Sequence, residues 1–346
     1  MLKQLTAGES HGRAIIAILE GMPAGLKVNV TLINKELKRR QAGFGRGKRM
    51  QIEKDKTQIL SGLKGGLTLG SPITLLIENK DFSIEKLKKI MCPRPGHADL
   101  AGLLKYGFND VREVLERASA RSTVATVGIG AACKIFLGEF KIEISSQVVS
   151  IGGETEKEAM IEKIKEAINK KDTVGGVFEV RARNVPVGLG SYVQAERRLD
   201  VKIAQGIMSI PGIKAVEIGL GFGYAEKFGS RVHDAIYYNK GKGYFRKTNN
   251  AGGIEGGISN GEDITIHACM KPICTLLNPL DSVNITSKRP SKASVERSDI
   301  CVVEAAAVVA ESAVAYALTD AFLEKFGSDS LRDIKETYKN YLKRIS

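Results

Sequence analysis

From about residue 301 to 326 the chain reads as one helix that is apolar on nearly every side, rich in Ala and Val through Ala305–Ala317. A helix without a polar face has nothing to offer water, so this one is predicted to lie buried in the core. The strand signals limit what can surround it. Alternating segments predict short strands around 2–6, 28–32, 73–78, 177–183, 213–220 and 263–269. These do not alternate with helices in βαβ order, which disfavours a doubly wound parallel sheet. Buried helices layered against antiparallel sheets fit better, and the expected class is α+β.

Asp110 is a predicted N-cap for a second helix over about 111–137. Segments 156–171 and 330–345 read as amphipathic surface helices, the latter through Leu331, Ile334, Tyr338, Leu342 and Ile345. In 263–269, Ile264, Ile266 and Ala268 share one strand face and turn Thr265, His267 and Cys269 to the other. No Pro/Ser-rich linker interrupts the 346 residues, so residues 1–346 are expected to form a single domain. Glycines cluster at 43–47, 62–70, 188–190, 219–223 and 252–261, where loops can bring backbone close to a ligand.

Hydrophobic content of 43% with 26% charged residues is ordinary for a water-soluble globular chain. No charge-free apolar run reaches the roughly 18 residues of a membrane span. The opening Met-Leu-Lys-Gln-Leu has no signal-peptide core, so a cytoplasmic protein without membrane association is expected. Five cysteines with no CxxC pair predict reduced structural thiols and no metal site. The net charge of +13 suggests an anionic partner. Nucleic acid is the reflex choice, yet no zinc-finger, helix-turn-helix or RNA-recognition signature is present. A basic cleft for a phosphorylated small molecule explains the cluster Lys38-Arg39-Arg40, Arg46, Lys48 and Arg49 equally well.

Two apparent nucleotide motifs fail. Gly43-Phe44-Gly45-Arg46-Gly47-Lys48 ends like a P-loop, but Ala42 replaces the first glycine and Arg49 the magnesium-binding hydroxyl. Gly219-Leu220-Gly221-Phe222-Gly223 lacks dinucleotide spacing. Residues 38–49 are instead expected to form a mobile basic loop over an anionic site. His11, in Gly8-Glu9-Ser10-His11-Gly12, occupies a turn that would present its ring. His97 lies in Arg94-Pro95-Gly96-His97-Ala98-Asp99, where prolines stiffen the approach and Gly96 permits a tight turn. Arg117 and Arg121 are four residues apart on the predicted helix. Sharing a face there costs about 0.2–0.5 kcal/mol unless an anion lies between them, though Glu113 could pair with Arg117 instead. His233 and His267 read as structural.

These segments, with Ile59-Leu60-Ser61-Gly62, Lys105-Tyr106-Gly107, Gly252-Gly253-Ile254-Glu255-Gly256-Gly257-Ile258-Ser259 and Arg297-Ser298-Asp299, resemble the chorismate synthase family from Gly8 to about Ser312. The resemblance implies a β-α-β sandwich with buried helices between two antiparallel sheets, assembled as a homotetramer. It implies loss of phosphate from 5-enolpyruvylshikimate 3-phosphate by anti-1,4-elimination to give chorismate, with reduced FMN required and no net redox change. His11 would serve the reduced flavin near its N1–O2 edge, His97 would protonate the departing phosphate, and Asp299 would assist flavin N5 in taking the C6 proton. Arg40, Arg46, Arg49, Arg94 and Arg121 would clamp substrate anions. FMN contacts would come from Arg117, Ala118, Ser119, Pro211, Gly212, Gly256, Lys271, Pro272, Ile273, Cys274, Thr275 and Arg297. Ile273, Cys274 and Ile300 depart from the residues usual in the family. With no nicotinamide fingerprint in the chain, a separate NAD(P)H-dependent system is expected to reduce the flavin. The rival readings are a flavin-dependent oxidoreductase, which would consume reduced flavin, and a basic nucleic-acid-binding protein, which salt-dependent gel shifts would reveal.

Overall fold

In the computed structural model, which describes residues 2–47, 53–241, 243–296 and 299–345, two four-stranded antiparallel sheets flank a layer of helices. The first sheet holds β1 (Lys3–Ala7), β2 (Ala14–Glu20), β3 (Thr57–Ser61) and β4 (Ile73–Glu78), in the order β1-β2-β4-β3. The second holds β5 (Glu143–Ile151), β6 (Gly176–Arg183), β7 (Ile213–Ile218) and β8 (Ile264–Met270), in the order β5-β6-β8-β7. Side chains of period two set the faces. β2 buries Ile15, Ala17 and Leu19, β4 buries Ile73, Leu75 and Ile77, and β8 buries Ile264, Ile266, Ala268 and Met270. Register aligns these rows: Ile15 stands opposite Ile77, and Ile266 opposite Val180.

The helices are α1 (Val30–Gln41), α2 (Asp99–Tyr106), α3 (Val111–Ala118), α4 (Thr123–Gly138), α5 (Lys157–Lys170), α6 (Leu199–Met208), α7 (Val303–Phe326) and α8 (Leu331–Ile345). α4 lies on β2 and β4, α7 lies on β5 and β6, and the two pack against each other. α7 is therefore the enclosed helix that its composition demands. Small residues bring the layers together. A Cβ on Gly130 would land on the side chain and backbone of Ser312, 2.8 Å from its carbonyl oxygen. Gly128 faces Leu75 and Gly206 faces Ala313 less tightly, at 3.0 and 3.4 Å from where a Cβ would stand. Glu311, midway along α7, is fully buried. It accepts hydrogen bonds from Arg39 of α1 (2.7 Å), Ser146 of β5 (2.5 Å) and Lys134 of α4. A carboxylate removed from water needs such partners. Phe136, Phe140, Phe322, Phe326 and Tyr338 close one end of the helix layer, with Phe136 and Phe322 edge-on at 5.6 Å between centroids.

Two expectations are corrected. Residues 28–32 lead into α1 and form no strand. Asn29 caps that helix by accepting from Thr31 N at 2.8 Å, after which Ile33, Leu37 and Arg40 fall on one buried face. Burial along a helical stripe outweighs the β propensity of Val28 and Val30. The helix expected over 111–137 is broken in two. Asp110 does cap α3, accepting from Arg112 N at 2.9 Å, but Ser119 takes extended backbone (φ −63°, ψ 140°) and a 3₁₀ turn precedes α4.

Gly130→Ala should destabilise the protein by about 1–3 kcal/mol, since backbone lines the far side of the crossing and cannot yield. Gly138→Ala, with open space around its Cβ position, should be neutral or stabilise by up to about 1 kcal/mol. Urea unfolding of both variants checks this; equal midpoints would deny the crossing its role.

Candidate active site

The turn between β1 and β2 presents His11. Gly8 opens it at φ 109°, where a Cβ would strike the Ala14 carbonyl oxygen. Asn79, just after β4, donates to the carbonyls of Glu9 (3.1 Å) and Gly12 (2.7 Å). From α3, Glu116 grips the centre of the turn. Its carboxylate accepts from His11 N at 2.8 Å and lies 2.9 and 3.1 Å from His11 Nδ1. Its carbonyl accepts from Ser10 N at 2.8 Å.

A second histidine–carboxylate pair forms in the 94–99 loop. Asp99, fully buried as the first residue of α2, lies 2.5 Å from His97 Nδ1. It also accepts from Arg94 Nε at 2.8 Å and Arg94 N at 3.0 Å. Arg94 reaches Thr275 Oγ1 at 2.8 Å, which joins this loop to the segment after β8. Lys271 bonds both the Gly96 carbonyl and Cys274 Sγ, and the Cys274 thiol donates to the same carbonyl at 2.9 Å. Gly212 O accepts from Lys271 N at 3.0 Å, which places Pro211–Gly212 beside them. Lys271, Pro272, Ile273, Cys274, Thr275, Pro211, Gly212, Arg94 and His97 thus form one neighbourhood.

Arginines and carboxylates interleave in a third cluster. Asp55, buried, lies 2.6 Å from Arg121 Nη1 and 3.4 Å from Arg40 Nη1. Arg121 also donates to Asn79 Oδ1 at 2.7 Å, and Arg40 to Thr123 Oγ1 at 2.9 Å. Burial pushes the Arg40 guanidinium down to about 10, with Asp55 acting against it, so it stays charged at neutral pH. Asp299 accepts from Gly47 N at 2.5 Å and lies 3.5 Å from Arg46 Nε. Ile300 N donates to Gly45 O at 2.8 Å, and Val174 N to Ile300 O at 3.0 Å. Thr173 Oγ1 in turn donates to Ile273 O at 2.7 Å, linking the third cluster to the second.

Several site expectations change. Lys38, Arg39 and Arg40 belong to the last turn of α1, not to a mobile loop, and residues 43–47 are packed against 300–301. The break at Ser119 separates Arg117 from Arg121, so they share no helix face. Arg117 donates instead to the carbonyls of Gly8 and Thr6, each at 3.0 Å, beside Ala118 and Ser119. Gly256 lies in the turn between Ile254–Glu255 and Ile258–Ser259, which leads into the start of β8, whereas Lys271 leaves its far end. Arg49 and Arg297 lie outside the described residues. Residues that sequence reasoning missed are Glu116, Asp55 and Asn79. Their signal was a polar residue beside an apolar stripe, as with Glu116 next to Val114 and Leu115, and that pattern is too common to single out.

Among the described residues, Arg46 Nε and Arg112 Nη1 are buried nitrogens without a hydrogen-bond partner. Each has a carboxylate near it, Asp299 at 3.5 Å and Glu116 at 3.9 Å, beyond good hydrogen-bond geometry. Two imidazoles oriented by carboxylates and set among guanidinium groups are an arrangement that can transfer protons to or from a bound anion.

A family model described as chorismate synthase matches residues 2–323, a span that includes every residue above. A chorismate synthase of Thermoanaerobacter pseudethanolicus is 54% identical over 344 residues, covering 99% of this chain and 98% of that protein. One of Geobacter sulfurreducens is 49% identical over 390 aligned residues, covering 100% and 99%. A crystal structure of chorismate synthase superposes with a TM-score of 0.81 at 42% identity, covering 99% of this chain and 98% of that one. The chain belongs to the chorismate synthase family. Its activity is that of a carbon–oxygen lyase forming chorismate.

The buried carboxylates of this chorismate synthase family member predict acid sensitivity. Burial alone would raise Asp99, but hydrogen bonds from His97 and Arg94 outweigh it and hold the carboxyl well below its ordinary range. Glu116 is held down against burial by His11, and Glu311 by Arg39 and Lys134. A carboxyl depressed by folding contributes stability that is present above its unfolded pKa of about 4 and lost as pH falls through its folded value. Urea midpoints should therefore fall steeply below about pH 4. Asp99→Asn should show a shallower acid fall; an unchanged slope would mean that Asp99 does not contribute.

Proposed function

We propose that this chain, a single domain in a cytoplasmic homotetramer, removes phosphate from 5-enolpyruvylshikimate 3-phosphate by anti-1,4-elimination, with the described clusters as its active site. The observation that carries the assignment of roles is the His97 pair. A ring held by Asp99 beside the Arg94 guanidinium puts a proton donor next to a fixed cation, which suits protonation of a departing phosphate. Arg40, Arg46, Arg94 and Arg121 bind the substrate's phosphate and two carboxylates, about four negative charges in all at neutral pH. Asp299, on the Arg46–Gly47 backbone, assists removal of the C6 proton.

The Lys271 cation, beside the Gly96 carbonyl and Cys274, fits the phosphate of FMN. Arg117-Ala118-Ser119, Pro211-Gly212 and the backbone of 271–275 would hold it, with His11 at its N1–O2 edge. When bound, reduced FMN supplies transient electron density and a basic N5. His11 would hold a proton at that edge. A separate NAD(P)H-dependent system reduces the flavin.

An anaerobic assay with the phosphorylated substrate and dithionite-reduced FMN should give equal chorismate and phosphate with no flavin oxidised. One flavin consumed per turnover would make the protein an oxidoreductase. His97→Ala should lower kcat by roughly 10²–10⁴-fold with FMN affinity little changed. Retention of more than half of the wild-type kcat would make His97 structural. Asp299→Asn keeps the shape and removes the charge, so kcat should fall by roughly 10²-fold while both ligands still bind. Near-normal turnover would remove Asp299 from the mechanism.

A further inference from the structure

We infer that Glu116 is the positioning residue for His11, locking its ring in the tautomer that carries hydrogen on Nδ1. The inference rests on the reading of His11 as a flavin-facing proton handler, and it adds a residue to that function. Three contacts converge on one carboxylate. Oε2 takes the His11 backbone N–H at 2.8 Å, while Oε1 and Oε2 stand 2.9 and 3.1 Å from Nδ1. Glu116 is 4% exposed and its carboxyl is held ionised, with Arg112 Nη1 at 3.9 Å. An ionised carboxylate can only accept, so Nδ1 must donate. Nε2 then becomes the ring atom that gains or gives up a proton, as in other sites where a carboxylate fixes an imidazole from behind.

A purely structural Glu116 would need only to anchor the 8–12 turn. One observation goes further. Ser10 N is already bound by the Glu116 carbonyl, so the turn is anchored without the side chain. The ring contact adds nothing to the path of the backbone; it sets only which nitrogen bears hydrogen. Glutamine at 116 separates the two roles. Its amide oxygen can still accept from His11 N, but its amide group can either accept from Nδ1 or donate to it, so the lock on the tautomer is lost.

The test is ¹⁵N spectroscopy of histidine-labelled protein, in which four histidines give a countable set of signals and His11→Asn identifies the one that matters. Wild-type protein should show neutral His11 as the Nδ1–H tautomer alone. Glu116→Gln should show both tautomers, with kcat for chorismate formation down by about 10- to 100-fold and substrate KM within about twofold. A wild-type His11 carrying hydrogen on Nε2 overturns the proposal, and that spectrum decides even if Glu116→Gln does not fold. A Glu116→Gln protein that keeps a pure Nδ1–H signal and wild-type kcat overturns it as well. Failure of the underlying reading looks different: His11→Asn would then retain full kcat whatever the tautomer in wild type.

Discussion

The close crossing of α4 and α7 at Gly130 and Ser312 is the contact on which the remaining geometry depends. One helix lies on each sheet, so the distance between the two helices sets the distance between the sheets. A side chain at residue 130 would force the layers apart. Arg39, Lys134 and Ser146 would then move away from Glu311, which would be left buried and unmatched, at a cost several times that of a surface pair. Apolar packing and ionic matching are thus met at one separation only. The same separation fixes where α4 begins. Arg121 and Thr123, at its entrance, hold the Asp55 cluster.

The candidate site is made of loops that meet beside this layer. None of the three clusters is local in sequence: Glu116 reaches back to His11, Thr275 to Arg94, and Asp299 to Gly47. Hydrogen bonds through Thr173, Val174, Ile273 and Ile300 join the second cluster to the third. Loops held in this way place side chains with the precision of a core, which proton transfer requires.

What could be read from the chain follows from the range of the interactions. α7 was legible because enclosure leaves its mark on every residue of the helix. β4, β6, β7 and β8 were legible from alternation. β5 was not, because Ser145, Ser146 and Gln147 blur its pattern. α1 was misread at its start, where Val28 and Val30 favour strands locally but the Asn29 cap and a distant core decide. The break at Ser119 was hidden because Arg117-Ala118-Ser119-Ala120-Arg121 carries no Gly or Pro. His11 and His97 stood out through their glycine and proline surroundings, and Asp299 through family resemblance alone. Glu116 and Asp55 did not, because their roles depend on partners 105 and 66 residues away.

These carboxylates also change what the net charge means. Cations such as Arg40 and Arg121, if unpaired at about 4 Å, would repel by about 4 kcal/mol at an effective dielectric of 20. Asp55 lies between them and removes most of that cost, while Asp99 does the same for Arg94 and His97. The formal charge of +13 therefore overstates the field in the site. On the proposed roles, a strongly anionic substrate would meet guanidinium groups already oriented by acids, so less ordering would be needed on binding. Arg46 Nε and Arg112 Nη1 lack a hydrogen-bond partner, yet Asp299 at 3.5 Å and Glu116 at 3.9 Å balance their charge as well. On the proposed roles, selectivity for a polyanion would come from the geometry of these oriented cations, with bulk charge contributing chiefly to the rate of encounter.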